Sequence, residues 1–264
     1  MTLKLDEQLI KVNDWTFRVA TTPNQCGTPL LMISGLAAKL ELFNPLIRAL
    51  GDEMQTIRFD IPGVNRSVPP PKPYRLCSVA SRLNGLLDNL GYEKVDIIGV
   101  SWGGGVAQEF ARRYPHRCRR LILAGTTMGA FMIPPRWPAV CEMACPGVFD
   151  RKRDPVKEAI RAYGGDLESK KEVLSLCAKH LHRPDHYQLL SIVGWTSIHW
   201  IWKLKMPVLI LAGLDDRIVN IRNARIMKKM IQNSRLVTFD CGHLFLLTQV
   251  EKSAQVIGDF LKTE

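Results

Sequence analysis

Short apolar runs closed by turn residues, with helical stretches between them, limit what this chain can fold into more than any other feature. Leu30–Ile33 ends at Ser34-Gly35, Gln55–Phe59 at Asp60-Ile61-Pro62-Gly63, Val95–Val100 at Ser101, and Leu121–Ala124 at Gly125. Continuous runs of this length suit strands buried on both faces, as in a parallel sheet. Val79, Leu83, Leu86, Leu87 and Leu90 lie on one face of a helix that Gly91 would close. Val208–Ala212 and Leu236–Phe239 resume the strand pattern. Thr248 and Glu251 form a candidate capping box before a last helix striped by Val250, Ala254, Ile257 and Leu261. The alternation predicts a mostly parallel, doubly wound α/β sheet.

The interval 127–203 breaks that rhythm. It carries Trp137, Trp195, Trp200 and Trp202 with several prolines, and helical patches such as Val173–Leu181, but no convincing strand. Residues 1–126 and 204–264 are therefore read as the α/β core, and 127–203 as a helical lid inserted over the carboxyl ends of the strands, where such sheets bind ligands. At 264 residues the chain can build a core without disulfides or metal.

Composition excludes several classes. A mean hydropathy of −0.03 and the lack of a long apolar run argue against a transmembrane segment. The alternation of charged and apolar residues from Met1 to Asn13 does not read as a secretory leader. The 7 cysteines are irregularly spaced, which predicts a reducing, cytoplasmic setting rather than a disulfide framework. Cys141 and Cys145 lie one helical turn apart, and His182 and His186 are separated by Pro184, so neither pair is expected to hold a metal. The net charge of +11 is spread over clusters such as Arg112-Arg113, Arg117-Cys118-Arg119-Arg120, Arg151-Lys152-Arg153, Lys170-Lys171 and Lys228-Lys229. No aromatic interleaving or nucleic-acid motif accompanies them, so they are expected to form a solvated face that attracts anionic surfaces.

The chemistry is carried by Gly99-Val100-Ser101-Trp102-Gly103, a G-x-S-x-G sequence between a predicted strand and the helical stretch from Gly104 to Tyr114. A serine at such a turn is held in a strained conformation, with glycines where a Cβ would strike the neighbouring elements. It needs a base, and the base an orienting acid. Asp215 and Asp216 follow the strand Val208–Ala212, and His243 follows the strand Leu236–Phe239. Asp216 is preferred because the spacing Gly-x-x-Asp before the apolar pair Ile218-Val219 matches the usual pattern, which leaves Asp215 as a solvated loop acid. His116, His180, His182, His186 and His199 do not follow the last strand. The predicted catalytic residues are Ser101, Asp216 and His243, with the N–H groups of Trp102 and Leu36 as oxyanion donors. These parts describe acyl transfer to water with no cofactor.

Ile98-Gly99-Val100-Ser101-Trp102-Gly103-Gly104, Tyr163-Gly164-Gly165, Gly194-Trp195-Thr196-Ser197-Ile198-His199-Trp200 and Gly242-His243-Leu244-Phe245-Leu246 together resemble the intracellular medium-chain-length poly(3-hydroxyalkanoate) depolymerases of the α/β-hydrolase superfamily. The similarity runs from about Leu30 to Leu261. It implies an α/β-hydrolase fold, hydrolysis of a storage polyester by the triad Ser101, Asp216 and His243, and a location at intracellular granules. Two loops depart from the family pattern: Asn65 stands where glycine is usual, and Asn220 where proline commonly follows the apolar pair.

An apolar cleft would suit a polyester with alkyl side chains, which makes Trp195, His199 and Trp200 candidate substrate contacts. The plainer alternative is that the tryptophans form the lid's own small core. A basic exterior would favour docking on granules coated with anionic lipid or protein. A small-molecule carboxylesterase or lactonase with the same triad is the nearest rival. A proline-type aminopeptidase would need acidic lid groups, for which Glu142, Asp150 and Asp154 are loose candidates. A non-catalytic binding protein on the same fold is disfavoured by the intact serine, aspartate and histidine. Haloalkane dehalogenase chemistry would need a carboxylate at position 101.

Overall fold

The computed structural model describes residues 6–22, 27–61, 63–64, 67, 72–130, 133, 163–166, 171–181 and 186–262. Strands β1 (Asp6–Val12), β2 (Trp15–Thr21), β3 (Leu30–Ile33) and β4 (Thr56–Phe59) come first, with helix α1 (Asn44–Leu50) between the last two. Helix α2 (Leu76–Asn89), β5 (Val95–Val100), α3 (Trp102–Arg113) and β6 (Cys118–Ala124) follow. After α4 (Lys171–His180) and α5 (His186–Leu190) come β7 (Val208–Gly213), α6 (Ile221–Met230) and β8 (Ser234–Phe239). The short α7 (Phe245–Thr248) and the long α8 (Val250–Lys262) end the described chain.

The strands form one eight-stranded sheet in the order β1-β2-β4-β3-β5-β6-β7-β8. Every pairing from β4 to β8 is parallel, while β1 pairs with β2, and β2 with β4, antiparallel. The apolar runs explain the two layers, because successive residues of a strand point to opposite faces. Leu31, Ile33, Ile97, Leu121, Leu123, Val208 and Ile210 pack with α2, α3 and α6 residues such as Leu83, Phe110 and Met227. Leu30, Met32, Ile98, Ile122, Leu209 and Leu211 pack with Leu46 and Ile47 of α1 and Ala254, Ile257 and Leu261 of α8. Burial on both faces is what the short runs predicted.

The hairpin β1–β2 was not anticipated. β1 is an edge strand with charged residues along much of its exposed length, so it carries no run of the kind that marks the inner strands. The proposed capping box is not made: Thr248 ends α7, and its hydroxyl donates to Leu244 O at 3.3 Å. Asn220, in the place of the usual proline, caps α6 by accepting the Arg222 N–H at 3.0 Å.

The basic residues are less surface-bound than their count suggested. Arg117 is buried and donates to Glu93 O, Tyr92 O and the Asn84 side chain and pairs with Asp88; Arg119 pairs with Asp96 at 2.5 Å. Arg120 is buried against Phe260, and Arg112 stands 4.8 Å from the Trp200 ring centroid. Arg58 is fully enclosed, donates to Leu40 O and Asn44 Oδ1, and burial pushes its guanidinium down to about 10. Arg112 stays exposed, but the expectation of a solvated basic face fails for Arg117 and Arg120. They staple helices and loops to the sheet.

Among the described residues no helix is long and apolar enough to cross a membrane, and no cluster of histidine, cysteine or carboxylate side chains is grouped for a metal. Within 127–203 the described residues add no strand to the sheet and make only isolated bridges, Gly129 with Thr196 and Leu181 with Ala38. Asn65, Trp137, Cys141, Glu142, Cys145, Asp150, Arg151-Lys152-Arg153, Asp154, Lys170 and His182 lie outside the described residues.

Candidate active site

The serine turn forms where β5 leaves the sheet and α3 begins. Ser101 has φ 52° and ψ −116°, a conformation rare for a side chain other than glycine. Two contacts hold it there: Ser101 N–H donates to Ala124 O at 2.9 Å, and the Thr126 hydroxyl donates to Ser101 O at 2.7 Å. The flanking glycines are required by space. A Cβ at Gly99 would meet Gly103 O at 2.5 Å and Ala107 Cβ at 2.6 Å, and one at Gly103 would run into the carbonyl oxygens of Ile33 and Ser34.

Asp216 and His243 come from the loops after β7 and β8. His243 Nδ1 lies 2.7 Å from Asp216 Oδ2, while Asp216 Oδ1 accepts the N–H groups of Ile218 at 2.9 Å and Val219 at 2.8 Å. The apolar pair after the aspartate thus places two backbone donors as well as burying the carboxylate, whose side chain is 1% exposed. A hydrogen on Nδ1 directed at Asp216 leaves Nε2 as the accepting nitrogen. The imidazole stands over the turn 124–126: a Cβ on Gly125 would lie 3.2 Å from His243 Cε1. Ala124 and Thr126, on either side of that glycine, hold the backbone of Ser101. The fold therefore brings His243, with Asp216 behind it, to the turn that also holds the Ser101 backbone.

Leu36 follows β3 in a loop that touches the serine, since a Cβ on Gly35 would be 3.4 Å from Ser101 Cβ. Trp102 opens α3, so its N–H has no acceptor within the helix. Its indole N–H donates to Gln188 O at 3.1 Å and Ser191 Oγ at 3.0 Å. Asp215 is more than a solvated acid: its Oδ2 accepts the Gly165 N–H at 2.9 Å and lies 3.6 Å from Arg217 Nη2.

A family described as the alpha/beta hydrolase fold matches residues 28–250. A poly(3-hydroxyalkanoate) depolymerase of Ectopseudomonas oleovorans is 39% identical over 260 residues, covering 97% of this chain and 92% of that protein. The chain belongs to the poly(3-hydroxyalkanoate) depolymerase family of α/β hydrolases. A 2-hydroxy-6-oxo-2,4-heptadienoate hydrolase of Pseudomonas putida is 30% identical over 203 residues, 72% of each chain. The enol-lactonase of Burkholderia xenovorans LB400 superposes with a TM-score of 0.81 at 20% identity, across 97% of this chain and 100% of that one, a likeness of fold.

In this hydrolase the residues of the Gly194–Trp200 block are tied to α3. Trp195 Nε1 donates to Glu109 Oε1 at 2.9 Å, Ser197 Oγ donates to Gln108 Oε1 at 2.6 Å, and Trp200 is buried beneath Arg112. Glu109, Gln108 and Arg112 all lie on α3, so the block locks onto the flank of the helix behind the serine. His199 is exposed. Sequence reasoning also missed two contacts made by short segments of the 127–203 interval. Tyr163 O accepts the His243 N–H at 2.8 Å, and its ring is stacked on the imidazole at a centroid distance of 6.3 Å. Gln188, fully buried, accepts the Ala37 N–H at 3.1 Å. The Tyr-Gly-Gly motif was a signal for the first, but nothing in a single glutamine marks the second.

Proposed function

We propose that this α/β hydrolase cleaves ester bonds of poly(3-hydroxyalkanoate) and its oligomers through an acyl-enzyme. The observation that carries the reading is the buried Asp216–His243 pair beside a strained serine at the carboxyl end of a parallel strand. Ser101 Oγ attacks the ester carbonyl carbon, and its proton passes to His243 Nε2. The N–H groups of Leu36 and Trp102 receive the oxyanion. Collapse of the tetrahedral intermediate expels the alcohol, which takes the proton from the imidazole. Water then attacks the acyl carbon, again with His243 as base, and frees Ser101. Asp216 acts through its hydrogen bond to Nδ1, which orients the ring and stabilises the imidazolium as it forms.

Substrate class rests on the family and on one surface feature. Leu190, Ile192 and Val193 are exposed, Val193 to 72%, on the turn that contains Ser191, whose hydroxyl holds the Trp102 indole. An apolar rim so close to the residue after the nucleophile suits a chain that is apolar between its ester links. The +11 net charge would favour residence on granules coated with anionic lipid or protein. The interval 127–203 acts as a lid in this reading, with Trp195 and Trp200 as its struts on α3 rather than as substrate contacts.

The test uses medium-chain polyester latex and p-nitrophenyl acyl esters side by side. Wild-type protein is expected to clear the latex, and Ser101→Ala to lose clearing and ester turnover while staying folded. Turnover of the small esters without clearing would mark a carboxylesterase or lactonase instead. Retained turnover by folded Ser101→Ala would end the serine mechanism.

A further inference from the structure

Gln188 is one of the few polar side chains with no solvent exposure at all, and it is enclosed between the two segments that supply the proposed oxyanion donors. Its Oε1 accepts the N–H of Ala37, the residue after Leu36, at 3.1 Å. Its main-chain oxygen accepts the Trp102 indole N–H at 3.1 Å and the Ser191 hydroxyl at 2.6 Å. The same hydroxyl accepts from that indole at 3.0 Å, so Trp102 is held twice, by Gln188 of α5 and by Ser191 in the turn that follows it.

Two further observations set this residue apart from ordinary packing. Ala37 has φ +58°, a left-handed conformation that a residue with a Cβ keeps only when its surroundings impose it. The loop also has ties of its own, the Ser34 hydroxyl to Ala38 O at 2.9 Å and Lys39 N–H to His180 O at 3.1 Å, but among the described residues it is Gln188 that grips the Leu36–Ala37 peptide by its N–H. The carboxamide Nε2 is buried without a partner, an arrangement that packing alone would select against.

We infer that Gln188 is a positioning residue for the oxyanion hole, fixing the Leu36–Ala37 peptide through its side chain and Trp102 through its main chain. This rests on the proposed roles of Leu36 and Trp102. Fixing the Ala37 N–H sets the plane of the Leu36–Ala37 peptide and so restricts rotation about Leu36, whose own N–H lies in the preceding Gly35–Leu36 peptide. Donors aligned before the charge develops lower the barrier without tightening the bound ester. Because Gln188 lies in the 127–203 interval, that interval helps to align a hole whose donors both sit on the core.

The experiment replaces Gln188 with methionine, which keeps the volume and deletes the acceptor. Turnover of a p-nitrophenyl acyl ester is measured with active sites counted by a fluorophosphonate probe, alongside inhibition by a trifluoromethyl ketone that forms an oxyanion on Ser101. Gln188→Met is expected to lower kcat about 30-fold, raise the ketone Ki by a matching factor, and leave KM within about twofold. A lower melting temperature with kcat and Ki both unchanged would mark a merely structural residue and overturn the inference. Ser191→Ala, a smaller deletion at the same clamp, serves if the methionine variant does not fold. It should lower kcat and weaken the ketone by about threefold, and no change in either would again overturn it. Absence of probe labelling at Ser101 in the wild type would instead bring down the serine mechanism itself, and this inference with it.

Discussion

The two halves of the candidate site are supported in different ways. The serine side is local: β5, the turn and α3 are consecutive, and Gly99 and Gly103 fit against one another and against the end of β3. The acid–base side is assembled from a distance. The loops after β7 and β8 are joined to each other by Asp215 N–H on Cys241 O at 3.0 Å. They are then joined to residues 163–165 by the bonds of His243 to Tyr163 and of Gly165 to Asp215. Tyr163 also packs on Ile218 and Val219, the residues whose N–H groups hold the carboxylate. A turn made by neighbours in sequence is a property of the core. A pair of loops stitched by a remote segment depends on how that segment sits.

The largest effect should come from Asp216→Asn, which leaves the shape of the acid–base side but offers an amide N–H to His243 Nδ1. The imidazole would then present its hydrogen toward the serine, and kcat should fall about 10⁴-fold with little change in melting temperature. A fall of less than about tenfold in a steady-state assay would show that the Asp216–His243 contact does not set the tautomer.

Gly103→Ala attacks the serine side. The new Cβ meets backbone carbonyls of Ile33 and Ser34, which have nowhere to retreat within the sheet. The expected cost is about 3 kcal/mol, read as a lower urea midpoint, with activity lost in proportion to fold. Unchanged stability would mean that β3 and the elbow are less tightly joined than their contacts indicate.

Gly164→Ala makes the matching strike on the other side. Gly164 has φ +74°, and a Cβ there would collide with Asp215 O. Backbone must give way there too, but in loops rather than in the sheet, so the global cost should be about 2 kcal/mol. The displacement reaches His243, however, and kcat should drop about 30-fold at nearly constant KM. If kcat holds while stability falls as far as in Gly103→Ala, the two sides do not differ in the way proposed.

This contrast also explains what could be read from the sequence. The inner strands, the elbow and the order serine, aspartate, histidine are written in local patterns: apolar runs, glycines at fixed offsets, and chain order along the sheet. Val95–Val100 and Leu30–Ile33 appear with the predicted bounds. The hairpin β1–β2 was missed because an edge strand need not be apolar on both faces. Arg117 and Arg120 were misplaced because a charge count does not reveal partners contributed by Asn84, Tyr92 or Phe260. Gln188 and Tyr163 act through contacts that span 151 and 80 residues of chain, from Ala37 to Gln188 and from Tyr163 to His243; the Tyr-Gly-Gly motif marks the second segment without its partner, and a single glutamine marks nothing.

The smallest effect separates packing from substrate binding in the Gly194–Trp200 block. Trp195→Phe keeps an aromatic ring but removes the indole N–H that donates to Glu109, a buried carboxylate that Arg113 also holds at 3.1 Å. Losing one charge-assisted hydrogen bond at a half-buried site should cost about 1–2 kcal/mol. Because α3 remains anchored by Gln108 with Ser197 and by Arg112 over Trp200, kcat and KM for a small ester should stay within about twofold. Calorimetry and steady-state kinetics on the same preparation decide the matter. A several-fold rise in KM at unchanged stability would return Trp195 to the substrate, and it would make the flank of α3 part of the binding surface rather than the wall behind it.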